Sequence, residues 1–282
     1  VAREFHTASL LNDGKVLVAG GDSGSAFLNT AELYNPSTQT WATTTGNMAA
    51  ARRYHTASLL NDGKVLIAGG DGISGSLKSA ELYNPSTQTW TTTTGNMAAA
   101  RKYHTATVLT DGTVLVIGGY SGSAFLNTAE LYNPNTQTWA TTTGNMAAAR
   151  RYHTASLLND GTVLVIGGES GSGVVNTAEL YNPSTQTWAT TTGNMAAARR
   201  YHTASLLNDG KVLVAGGDSG SAFLNTAEVY NPSTQTWTVT SNDMNVARGY
   251  HTASRLNNGK VLVVGGSDRA GSIIQTELYT PV

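Results

Sequence analysis

The chain has 282 residues, no cysteine, and a formal charge of −1 from 17 Lys+Arg against 18 Asp+Glu. The missing cysteine excludes disulfides, thiolate metal ligands and cysteine nucleophiles, and the balanced charge excludes nucleic-acid binding by bulk charge. Only 12% of residues are charged, well below the roughly 25% of an ordinary domain, and no run of 18 apolar residues exists to cross a membrane.

Histidine falls at positions 6, 55, 104, 153, 202 and 251, each gap being 49 residues. The surrounding sequence keeps the same period without insertion or deletion. A period of this length marks a solenoid, a propeller or another array, in which one unit is too small to bury its own core. A single domain over 1–282 is therefore expected.

The second unit shows the elements in chain order. Tyr54 to Leu60 is a short β-rich run, and Asn61-Asp62-Gly63 is a turn signal. Lys64 to Ala68 is nearly all apolar, as in a strand covered on both faces. Gly69-Gly70 ends that strand, and a loop runs to Ser79. Ala80 to Asn84 alternates in the manner of a strand. Pro85 to Gln88 turns into a fourth strand around Trp90, and Gly95 to Ala100 leads to the next unit. We label the four strand positions A to D. Four short antiparallel strands with tight internal turns describe a propeller blade.

The di-glycine after an apolar strand, then Glu-x-Tyr-Asn-Pro, then Trp seven residues after the Tyr, resembles the kelch repeat. The tyrosines are Tyr34, Tyr83, Tyr132, Tyr181, Tyr230 and Tyr279, and the tryptophans are Trp41, Trp90, Trp139, Trp188 and Trp237. The resemblance covers the whole chain. It implies an all-β fold, a six-bladed kelch-type β-propeller with four antiparallel strands per blade. Strand A would lie nearest the axis and strand D outermost. Blade boundaries fall at about 1–49, 50–98, 99–147, 148–196, 197–245 and 246–282. Small Thr, Ala and Ser dominate strand A, where blades would converge, and the large Tyr and Trp lie where the wedge would widen.

The sixth unit stops at Thr280-Pro281-Val282, before the segment that would carry its tryptophan. The last blade is therefore expected to lack its outermost strand, within a closed ring. Its third strand would be an exposed edge, open to strand pairing with another chain.

Strand B runs opposite to A, so the B–C loops and D–A links should share one face, which is the candidate binding face. An arginine series lies there: Arg3, Arg52, Arg101, Arg150, Arg199 and Arg248. In the kelch resemblance, arginines near this position line the mouth of a central pocket and receive acidic side chains. The competing reading pairs them internally with Glu32, Glu81, Glu130, Glu179, Glu228 and Glu277, which recur in step. A partly buried carboxylate needs a cation, and Arg fits it.

The histidines His6, His55, His104, His153, His202 and His251 could form a metal or anion site. A metal needs three or four ligands converging at about 2 Å, and separate blades would hold them apart. A structural role at blade junctions is the competing reading, and no metal is expected. The next basic series, Arg53, Lys102, Arg151 and Arg200, reads as a solvated rim. The B–C loops vary most between units and open on Asp22, Asp71, Tyr120, Glu169 and Asp218. Loops on a rigid scaffold usually carry binding residues. Phe27, Phe125 and Phe223 occur in only three of the loops, and either bind ligand or plug the loop onto its blade.

Catalytic signatures are missing: every Ser and His belongs to a repeated set, and Gly-Gly enters a coil rather than a helix. Some kelch-type propellers are copper oxidases with a cysteine-linked tyrosine, a chemistry that a cysteine-free chain cannot supply. No cofactor is expected. The expected function is a non-catalytic binding or scaffolding propeller, with a peptide or glycan on the B–C-loop face. The alternative is a carbohydrate-processing or carbohydrate-binding propeller using a central pocket. Neither nucleic acid nor membrane is an expected partner. Near identity between units points to recent amplification or to engineering from one repeat. The Thr/Asn/Gly-rich composition suits a bacterial extracellular or cell-surface protein.

Overall fold

The apolar run at position B of each repeat is covered on both faces, and the other strands take their places around it. In the second repeat, Val65, Leu66, Ile67 and Ala68 are all buried. Position A carries the half-buried Thr-Ala-Ser-Leu pattern, and position D is exposed apart from its tryptophan. The computed structural model describes residues 1–280 and divides into two units, Val1–Thr142 and Thr143–Val282.

In the first unit, β1 (Thr7–Leu10), β2 (Val16–Ala19), β3 (Ala31–Asn35) and β4 (Thr40–Thr43) make one antiparallel sheet in that order. The second sheet holds β5 (Thr56–Leu59), β6 (Val65–Ala68), β9 (Ala80–Asn84) and β10 (Thr89–Thr92), with a two-residue hairpin of β7 (Asp71–Gly72) and β8 (Gly75–Ser76) in its B–C loop. The third holds β11 (Thr105–Val108), β12 (Val114–Ile117), β13 (Ala129–Asn133) and β14 (Thr138–Thr141).

In the second unit, β15 (Thr154–Leu157), β16 (Val163–Ile166), β19 (Ala178–Asn182) and β20 (Thr187–Thr190) form the fourth sheet, with β17 (Glu169–Ser170) and β18 (Gly173–Val174) in its loop. The fifth is β21 (Thr203–Leu206), β22 (Val212–Ala215), β23 (Ala227–Asn231) and β24 (Thr236–Val239). The sixth has three strands, β25 (Thr252–Arg255), β26 (Val261–Val264) and β29 (Thr276–Tyr279), with the small hairpin of β27 (Ser267–Asp268) and β28 (Gly271–Ser272). Among the described residues the fold is all-β, with six blades of which the last is three-stranded.

The three loop hairpins go beyond the sequence reading. They form where the fifth loop residue is glycine, at Gly75, Gly173 and Gly271, each with φ between +114° and +131°. Where that position is alanine, at Ala26, Ala124 and Ala222, only an isolated bridge forms, such as Asp22 to Phe27. Glycine adopts the positive φ without steric cost.

Blades pack through alternating faces of their strands. In the first unit, Leu17, Ala19, Ala31, Leu33 and Met48 of the first repeat meet Val65, Ile67 and Tyr83 of the second, with Trp90 at the margin. In the second unit, Leu158, Leu164, Ile166 and Met195 meet Val212, Val214, Tyr230 and Trp237 in the same way. The di-glycines permit close approach. A Cβ on Gly69 would stand 2.6 Å from the Arg101 carbonyl oxygen, and one on Gly70 would stand 2.7 Å from that of Arg53.

Candidate binding face

Antiparallel bridges join the start of each B–C loop to the residue after each series arginine. Glu4 meets Asp22, Arg53 meets Asp71, and Lys102 meets Tyr120 in the first unit. Arg151 meets Glu169, Arg200 meets Asp218, and Gly249 meets Ser267 in the second. Within each blade, loop and link therefore lie side by side.

The arginine series is placed inside the blades. Arg52, Arg101, Arg150, Arg199 and Arg248 are 0% exposed. Each Nη1 donates to the first glycine carbonyl of its own di-glycine, as Arg101 does to Gly118 at 2.7 Å. Each Nη2 donates to the strand-C glutamate, at 2.6 Å for Arg101–Glu130 and 2.7 Å for Arg52–Glu81. Arg150–Glu179, Arg199–Glu228 and Arg248–Glu277 are 2.7 Å apart, and Arg3–Glu32 is 2.9 Å apart. Glu81 also accepts backbone N–H groups from Ala49 and Ala50, at 2.7 and 3.1 Å, across the junction from the first blade. Burial lowers the Arg52 and Arg101 pKa values and the paired glutamates raise them. These guanidiniums are latches rather than docking groups.

The histidines sit at blade junctions. His55 Nε2 lies 2.9 Å from Thr7 Oγ1 of the preceding blade, and His104 Nε2 lies 2.9 Å from Thr56 Oγ1. In the second unit, His202 meets Thr154 at 2.8 Å and His251 meets Thr203 at 2.9 Å. His153 is buried like its counterparts, whereas His6 on the first blade is exposed. Burial and the neighbouring Arg52 push His55 down to about 3, and burial with Arg248 pushes His251 down to about 4. His202 is driven well below its usual value by burial and then Arg199. Among the described residues, no three His, Asp or Glu side chains come together as a metal site would need.

The second basic series corrects the reading of a solvated rim. Arg53 bonds Asp22 of the preceding blade at 2.8 Å, and Lys102 bonds Asp71 of the preceding blade at 2.8 Å. Arg200 bridges Glu169 and Asp218, both at 3.0 Å, and Arg151 bonds Glu169 at 3.0 Å. These side chains are only 18–26% accessible. The loop carboxylates are thus held by cations reaching between blades. Phe27 lies under Arg53, 4.2 Å from guanidinium carbon to ring centroid. Phe223 fills the space beside Gly249, where a Cβ would meet it at 2.8 Å.

Sequence reasoning missed the residues just before the histidines. Phe5, Tyr54 and Tyr103 form a row in the first unit, with centroids 4.4 and 4.5 Å apart. Tyr152, Tyr201 and Tyr250 form one in the second, at 4.4 and 4.0 Å. All six have φ between 55° and 59°, an outlying conformation for bulky residues. Their backbones link as well, Tyr250 N–H donating to the Tyr201 carbonyl at 3.0 Å. Arg53, Arg151 and Arg200 stand over the rings of Tyr54, Tyr152 and Tyr201 at 4.8–5.1 Å. Burial, then Tyr103, pushes Tyr54 up to about 12. The repeated Tyr-His dipeptide was the available signal, but nothing local announces a left-handed tyrosine.

The family model described as the KLHDC2/KLHL20/DRC7 Kelch-repeats domain matches residues 1–119 and 82–266. No curated protein matches the chain. The matched stretches take in the di-glycines, the buried Arg–Glu latches and the Tyr–Trp pairs of every blade but the last, and the chain belongs to the kelch-repeat family.

Proposed function

We propose that the protein is a non-catalytic binding or scaffolding module whose ligand docks on a tyrosine row and the charged ladder beside it. The kelch fold is commonly used in this way. The observation that carries the reading is the strained tyrosine row. Six bulky residues in the left-handed region cost of order 1–3 kcal/mol each, and such outliers cluster at functional sites. The rows offer half-exposed aromatic faces flanked by fixed cations and carboxylates. Phe5 and Tyr250 at their ends are 46% and 55% exposed. This chemistry suits a peptide with aromatic and charged side chains, or a sugar face. Acid–base catalysis has less support, because Asp22, Asp71, Glu169 and Asp218 each hold a cation.

The test is a peptide and glycan array probed with the protein and with Tyr250→Ala and Arg200→Gln, both on the row of the second unit. Hits that weaken about tenfold in the variants while the fold persists support the reading. Hits indifferent to both substitutions, or turnover of a bound glycan, overturn it.

A further inference from the structure

The tyrosine rows hold a second chemistry, one that needs no docked ligand. Each row brings phenol rings from consecutive blades into contact. Tyr54 and Tyr103 have centroids 4.5 Å apart with 54° between planes, and Tyr152 and Tyr201 are at 4.4 Å and 49°. Tyr201 and Tyr250 are stacked, at 4.0 Å and 24°. The backbone fixes the approach. Tyr103 N–H donates to the Tyr54 carbonyl and Tyr201 N–H to the Tyr152 carbonyl, both at 3.4 Å. Neighbours in a row are 49 residues apart in the chain, yet their rings are held as close as the two rings of a biaryl.

The strand-C tyrosines keep different company. Tyr83, Tyr132 and Tyr230 are 0% exposed, and each faces an indole, that of Trp90, Trp139 or Trp237. Tyr54, Tyr103, Tyr152 and Tyr201 in the rows are partly exposed, so a small oxidant in solution meets them first. The chain has no cysteine, and its blades therefore have no disulfide to tie them.

We propose that the tyrosine rows are oxidative crosslinking sites, at which a peroxide couples adjacent rings into dityrosine and staples one blade to the next. Each phenol gives up one electron and its hydroxyl proton. The two phenoxyl radicals join through a new carbon–carbon bond between their ortho carbons. The two ortho hydrogens then shift to the oxygens, which restores both phenols. The two electrons cleave the O–O bond of the peroxide, and with the two released protons hydrogen peroxide leaves as two waters. Burial raises the Tyr54 and Tyr201 pKa values, so at neutral pH both are phenols with a proton to lose. Holding the rings in contact makes the joining step effectively unimolecular. The staple links residues 49 apart and restricts the unfolded chain as a disulfide does.

The test exposes dilute protein to photolysed tris(bipyridine)ruthenium with persulfate, a peroxide that leaves as two sulfates and passes the protons to water. Monomeric product is isolated by size, and its dityrosine is read by fluorescence and by tryptic mapping. Three results are expected: a mass lower by two hydrogens per crosslink, peptides joined at Tyr54–Tyr103 and at Tyr201 with Tyr152 or Tyr250, and a higher urea midpoint. Tyr201→Phe should abolish the second-unit crosslinks and leave Tyr54–Tyr103 intact. Tyr54→Phe should do the reverse, and Phe5 already places a phenyl ring in that row. Absence of dityrosine within the monomer overturns the proposal. So does dityrosine at Tyr83, Tyr132 or Tyr230 in equal yield, survival of second-unit crosslinks in Tyr201→Phe, or a urea midpoint that falls on crosslinking.

Discussion

Glu130 accepts three hydrogen bonds: from Arg101 Nη2 at 2.6 Å and from the backbone of Ala98 and Ala99 at 2.7 and 3.1 Å. At 1% exposure it is a carboxylate that only a full set of donors makes tolerable. Glu130→Gln keeps the shape but leaves the Arg101 charge buried and uncompensated. We expect a loss of about 3–5 kcal/mol by urea denaturation. Glu32→Gln should cost less, because that carboxylate is 17% accessible. Equal costs would mean that burial does not set the strength of the latch. Gly70 gives a second residue-scale test. Its φ is +100°, and a Cβ there would stand 2.7 Å from the Arg53 carbonyl oxygen. Gly70→Ala should cost about 1–3 kcal/mol. Gly14, at φ +83° with open space around it, should tolerate the same change at about 1 kcal/mol.

At the scale of the strand, the same tryptophan has two environments. Trp139 on β14 packs on Tyr132 at 5.0 Å, and a Cβ on Gly95 of the preceding blade would stand 3.8 Å from its Cδ1. Trp41 on β4 pairs with Tyr34 but is 57% exposed. Trp139→Ala should therefore lower stability by about 2–4 kcal/mol, and Trp41→Ala by less than about 1 kcal/mol. Denaturation midpoints of the two variants compare them directly, and equal shifts would contradict the assignment of the junction to Trp139. The strands themselves were legible because each is a short apolar run between glycine and proline turns, as at Val65–Ala68. The identity of the candidate face was legible in part. The arginine, histidine and loop acids could be named from their period, but the period hides which blade answers which. Arg53 bonds Asp22, 31 residues back, and a sequence offers no reason to prefer that partner over solvent. The left-handed tyrosines were illegible for the same reason. Each stands in a stacked row, and a local window contains only one member of it.

Over the whole molecule, repetition multiplies whatever one unit does, and protonation is the clearest case. Each junction histidine has an ordinary value near 6.5 when the chain is unfolded, while His55 and His251 are held near 3 and 4 in the fold and His202 well below normal. Between those values the unfolded chain binds more protons than the native one, so stability rises with pH across the window. Above about pH 6.5 the contribution is intact, and it is lost as the pH falls toward 4. At pH 5 each such histidine should cost about 1–2 kcal/mol, and three together would take a large share of an ordinary 5–15 kcal/mol. The carboxylates act later. Asp13 and Asp209 lie below the usual range through hydrogen bonds from Lys15 and Lys211, so they lose their contribution only below about pH 4. A urea midpoint that falls steadily from pH 7 to pH 5 is the expected outcome, with a shallower fall in His202→Gln after allowing for its lower starting stability. A midpoint flat across that range would mean the junction imidazoles take up protons without leaving the native fold, and that water reaches them.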